Sequence, residues 1–111
     1  MPLAMFRLQP GQALDYALHF PGLPLGPLGL RARRPDEGRS AELELQLFDP
    51  EAGRLGRGRV PIERGYLAVV REIDRQLEAI GHPACRQPEG ARFELRREAR
   101  GQPGEELQNE A

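Results

Sequence analysis

The stretch ELELQLFDPEAGRLGRGRV, residues 42–60, runs straight into PIERGYLAVVREIDRQLEAI, residues 61–80, and together they decide the fold. Residues 42–48 alternate, with Leu43, Leu45 and Leu47 on one side and Glu42, Glu44 and Gln46 on the other. That period of two marks a half-buried strand. Asp49-Pro50-Glu51-Ala52-Gly53 is turn chemistry, and Arg54 to Val60 can return as the partner strand. Keeping the apolar faces together pairs Leu43 with Val60, Glu44 with Arg59, Gln46 with Arg57 and Phe48 with Leu55. Gly56 and Gly58 then fall on the apolar face, where another backbone can approach closely.

From Ile62 the period changes. Ile62, Tyr66, Val69, Val70, Ile73, Leu77 and Ile80 form one stripe at helical spacing. Arg64, Arg71, Glu72, Asp74, Arg75 and Glu78 occupy the opposite face, with Arg71–Asp74, Glu72–Arg75 and Arg75–Glu78 spaced for weak pairing. Pro61 suits a first turn, and Gly81 followed by Pro83 is a stop signal. The spacing predicts one amphipathic helix over 62–80, lying against the glycines of the strand before it.

Working outward, Leu14, Tyr16, Leu18 and Phe20 alternate with Asp15, Ala17 and His19, and Leu28, Leu30 and Ala32 with Gly29, Arg31 and Arg33. Phe93 and Leu95 alternate with Arg92, Glu94 and Arg96 after the helix. A four-residue loop at Asp36–Arg39 sets Arg33 opposite Glu42, Arg31 opposite Glu44 and Leu30 opposite Leu45. The fold class expected is α+β: an antiparallel β-meander of about five strands with one amphipathic helix packed on one face. The 111 residues fit one domain. Residues 1–99 are assigned to it, and the polar, acidic tail 100–111 is expected to be disordered.

Composition narrows the function classes. The net charge of −1 gives no overall field toward nucleic acid or a membrane surface. All 16 basic residues are arginine, which a GC-rich bacterial genome explains, and each is a planar fork suited to carboxylate or phosphate. A single cysteine, Cys85, excludes an internal disulfide framework and points to a reducing, cytoplasmic setting. No apolar run approaches the ~20 residues that span a bilayer.

Candidate sites divide into chemistry and contact. His82 with Cys85 supplies too few ligands for a Cys/His zinc site and lacks an orienting third group for catalysis. Asp15, Glu42, Glu44, Glu72, Asp74 and Glu78 mostly face arginines, so raised carboxyl pKa values are not expected. The only serine, Ser40, lies beside a turn. Gly53 to Arg59 precedes a helix start but lacks the lysine and hydroxyl of a P-loop. No enzyme, cofactor or metal is expected.

Arg31, Arg33, Arg57 and Arg59 form the candidate anion-binding face. With Glu42 and Glu44 among them, the simpler reading is a cross-strand charge ladder. Sequence-specific RNA readers also need stacking aromatics, and the chain has no tryptophan. The segment FPGLPLGPLGL, residues 20–30, offers Leu23, Leu25 and Leu28 as a candidate partner-docking loop; the alternative is a connection folded over the core edge. The expectation is a small non-enzymatic interaction or regulatory module of adaptor or immunity type. It would bind an unknown protein or form a homodimer, with anion or RNA binding as the alternative.

Overall fold

A computed structural model describes residues 3–36 and 41–98. The strands are β1 (Ala13–His19), β2 (Leu28–Arg33), β3 (Glu42–Asp49), β4 (Gly53–Pro61) and β5 (Glu94–Arg97), with the helix α1 (Gly65–Ala79) between β4 and β5. They form one antiparallel sheet in the order β4-β3-β2-β1-β5. The expected meander is therefore present, and α1 with the segment after it carries the chain from one sheet edge to the other. The bounds set at 1–99 and 100–111 fall outside the described residues, as do Ser40 and most of the expected 36–39 turn.

The alternating leucines explain the inner face. Leu43, Leu45 and Leu47 are buried beneath Val69, Ile73 and Leu77 of α1, and Leu30 is buried in the same core. Each such side chain contributes about 1.5–3 kcal/mol by leaving water. The β3–β4 register matches the sequence reading from Leu43↔Val60 to Leu47↔Gly56, and then a bulge sets Phe48 opposite Arg54 instead of Leu55.

The β2–β3 register differs by two residues: Arg33 lies opposite Glu44, Arg31 opposite Gln46 and Leu30 opposite Leu47. The cause is Arg34. Its N–H donates to the Gln12 carbonyl at 2.9 Å, and its own carbonyl accepts from the Gly11 N–H at 2.7 Å. The chain thus leaves β2 bound to the approach to β1 rather than turning tightly into β3.

The helix stripe is also broken. Ile62–Arg64 is a short 3-10 turn, and Gly65, with φ 72°, separates it from α1, which starts at 65 rather than at 62. Tyr66, in the first turn of α1, and Ile80, just past its last residue, are exposed at the two ends of the helix, while Asp74 and Gln76, polar residues, are buried. At the other end the stop signal works as read. Gly81 N–H donates to the Glu78 carbonyl and His82 N–H to the Leu77 carbonyl, both at 3.0 Å, a Schellman closure.

The helix lies over β4 and β3. The inner face of β1 and β2 is covered by Met5 and Leu8, around a 3-10 turn at Ala4–Arg7, and by Ala84. Met5 N–H donates to the buried Tyr16 hydroxyl at 3.1 Å.

Candidate functional site

The outer face of the sheet holds all four arginines proposed for anion binding, and each meets a carboxylate there. Arg31 donates through Nε and Nη2 to the Asp15 carboxylate at 2.8 and 3.2 Å. Arg33 Nε donates to Glu44 Oε1 at 3.2 Å, Arg57 Nε lies 3.8 Å from Glu44 Oε2, and Arg59 Nη1 lies 3.8 Å from Glu42. Glu44 is the hub, only 4 % exposed although it sits on the solvent side. Burial pushes its carboxyl up, but hydrogen bonds from Gln46 and Arg33, with the charges of Arg33 and Arg57, outweigh that and hold it below its usual range.

The docking leucines separate. Leu28 is in the core, Leu23 is half-buried against it, and Leu25 alone is exposed. Burial of Leu28 follows from its place on the inner face of β2, opposite Leu18.

His82 and Cys85 are parts of the scaffold. The His82 ring packs on Phe20 with centroids 4.4 Å apart, and its Nδ1 accepts from the Ala84 N–H at 3.0 Å. Burial pushes the imidazole pKa down and the Cys85 thiol up, opposite to what an activated thiolate needs. One carboxylate departs from expectation. Asp74 is buried within 3.6 Å of Arg92, and burial raises its pKa against the opposing pull of Arg92. Arg92 also donates to Glu78 Oε2 at 2.9 Å and to the Gln87 carbonyl at 3.0 Å, clamping the loop after α1 onto the helix. Among the described residues no group of three or more His, Cys, Asp or Glu is placed to hold a metal ion. No helix among the described residues is long and apolar enough to cross a membrane.

Two concave surfaces lie among the described residues. One, about 360 Å³, opens on the outer face above Ala17 and Gly29, walled by Phe48 and by Arg31, whose guanidinium sits 5.7 Å from the Phe48 ring. Its main cation is already committed to Asp15.

The other, about 390 Å³, runs between the end of β4 and the first half of α1. Val60, Pro61 and Leu67 give it an apolar side, and Arg59, Arg64 and Arg71 a basic one. Leu67 is 58 % exposed and its neighbour Tyr66 52 % exposed. Arg64 and Arg71 have no carboxylate partner among the described residues. At the far end Arg75 is engaged by Glu72 at 2.5 Å. Although the chain is slightly acidic overall, this groove collects four arginines against one glutamate. Reading by periodicity assigned Arg64 and Arg71 to a solvated helix face; the available signal was Leu67, an apolar residue off the stripe.

The site and fold together define a small α+β protein with a basic, partly apolar groove beside a sheet edge. A scan against protein-family models, a search of curated proteins and a search of solved structures each give no match.

Proposed function

We propose that the protein is a small non-enzymatic interaction module, of adaptor or regulatory type, whose docking surface is the groove between β4 and α1. The observation that carries this reading is the exposed Leu67 flanked by Arg64 and Arg71, which no carboxylate of the described chain satisfies. Exposed apolar area rimmed by unpaired arginines is the composition of protein-binding surfaces. The lone Cys85, with no second cysteine for an internal disulfide, fits a reducing cytoplasmic setting.

A selection tests it. The full chain is immobilised and panned against a displayed random-peptide library, and the enriched peptides are re-measured on Leu67→Asp. That substitution is at an exposed position and leaves the core untouched. Peptides that bind the wild type and lose about tenfold or more on the variant support the reading. An empty selection, or peptides indifferent to Leu67→Asp, removes it.

Anion or RNA binding by Arg31, Arg33, Arg57 and Arg59 is the weaker reading, since Asp15, Glu42 and Glu44 already lie against them. RNA binding that falls steeply with salt and is lost on replacing Arg31 and Arg33 would reverse the order.

A further inference from the structure

We propose that the groove accepts an extended acidic segment of a partner protein, added as a further strand along the outer side of β4. Alternate carboxylates of that segment lie on the outer face beside Arg57 and Arg59, and an apolar side chain turns inward onto Leu67. This rests on reading the groove as a docking surface and names its occupant.

Backbone direction is the first support. β4 is the longest strand and stands at the sheet edge. The Ile62 N–H donates to the Ala41 carbonyl at 3.0 Å, extending a ladder in which Val60, Gly58 and Gly56 face Leu43, Leu45 and Leu47. The alternation of an antiparallel pair therefore turns the main-chain groups of Arg57 away from β3. Consistently, the Arg57 carbonyl accepts from Arg75 Nη2, across a long 3.4 Å. At Arg57 an added strand has that weak contact to displace.

Charge is the second. β3 already presents the complement of β4: Glu42 and Glu44, two residues apart, lie within 3.8 Å of Arg59 and Arg57. These pairs are long, and a guanidinium has five donors in its fork, so Arg57 can take a second carboxylate from its other flank. A segment with the same acid–apolar alternation as β3 would supply it. On the inner side the same segment meets Leu67 and the unmatched Arg71.

The other occupants fit less well. A second copy paired antiparallel about Arg57 sets Arg57 against Arg57, and one paired about Gly58 sets Arg57 against Arg59. Like charges directly opposite are destabilising. Nucleic acid would find one exposed aromatic near the groove, Tyr66, and no stacking platform.

Synthetic peptides of nine residues, the length of β4, decide the matter. One alternates glutamate with leucine or valine, and a second has the same composition with its glutamates in a block. Two further versions of the first carry N-methyl groups on alternate amides, one version for each edge. Affinity is read by fluorescence anisotropy, and amide exchange by NMR. The alternating peptide is expected to bind about tenfold or more tighter than the block peptide and to weaken with salt. Methylation of one edge abolishes binding, methylation of the other is tolerated, and the Arg57 amide exchanges more slowly in the complex.

Arg57→Pro, which removes an outward N–H tolerably at an edge, should fold and lose the peptide. Equal binding of both methylated versions, or of block and alternating peptides, overturns strand addition while leaving the docking groove in place. Failure of these peptides while library-selected ones still depend on Leu67 does the same. Failure of every peptide, or an RNA oligonucleotide binding in their stead, overturns both readings.

Discussion

Glu44 sits on the solvent side of a sheet and is still only 4 % exposed, because Arg33, Arg57 and Gln46 close over it. Its carboxyl is held below the ordinary 4.5, so the folded chain binds that proton less readily than the unfolded one. The stability this contributes is present above about 4.5 and is lost as pH falls through the lowered folded value. Glu44→Gln should therefore flatten the acid limb of a plot of urea midpoint against pH. At pH 7 it should cost about 1 kcal/mol, a figure kept small because both arginines are partly solvated. Parallel curves for the two proteins would mean that the hub contributes nothing. The sequence made the charge ladder and its β3–β4 register legible but not the β2–β3 pairing. A shift of two residues keeps every side chain on its face, so alternation cannot distinguish Arg33 opposite Glu42 from Arg33 opposite Glu44. The contact that fixed the register, Arg34 with Gln12 and Gly11, involves residues with no period to read.

At the scale of elements, α1 is seated on β4 through glycine. Gln76 Nε2 donates to the Leu45 carbonyl at 3.1 Å and to Glu72 Oε2 at 2.8 Å, so polar residues of the helix dock on the sheet backbone. A Cβ on Gly56 would come within 2.8 Å of Gln76 Oε1. One on Gly58 would overlap the Glu72 carboxylate and approach Arg75 Nη2 to 3.0 Å. Alanine in an unhindered strand normally gains on glycine through the unfolded state. Here Gly58→Ala should cost about 1–3 kcal/mol in urea unfolding, because Glu72 is pinned by Arg75 and Gln76. In a Glu72→Ala background the same change should cost clearly less, and a double-mutant cycle measures the difference. A neutral or stabilising Gly58→Ala would show that the helix does not need the gap. This close approach was legible, since the turn at Asp49–Gly53 fixed which face the glycines occupied. The departure of Tyr66 and Ile80 from the buried stripe was not. Both keep the azimuth of the stripe, seven residues from Ile73, but lie at the two ends of a helix that starts only at Gly65, and apolar spacing does not mark where a helix begins or ends. Leu67, an apolar residue off the stripe, was passed over, and with it the groove.

For the whole molecule, one helix of 15 residues is too narrow to cover five strands, so half of the inner face needs other material. That half is closed by the segment 3–8 from one side and the loop after α1 from the other. Strand order explains why: β1 and β2 lie far from β4, over which α1 packs, and the chain must cross the sheet to lay β5 against β1. The sequence hid this contribution because Met5, Phe6 and Leu8 are too few to show a period and are flanked by proline and arginine. Their role is testable. Met5 is fully buried and its N–H satisfies the Tyr16 hydroxyl, so Met5→Ala opens a cavity between the segment and β1. A loss of about 2–5 kcal/mol is expected, a large share of the roughly 5–15 kcal/mol that holds a domain folded. The denaturation midpoint should fall with its slope unchanged, since the surface exposed on unfolding is nearly the same. Leu25→Ala serves as the control: its side chain is 38 % exposed and should cost under about 1 kcal/mol. If Met5→Ala is as mild as the control, the segment is not part of the core. The inner face of β1 and β2 would then be a second apolar surface, and the groove at β4 would lose its standing as the place where a partner binds.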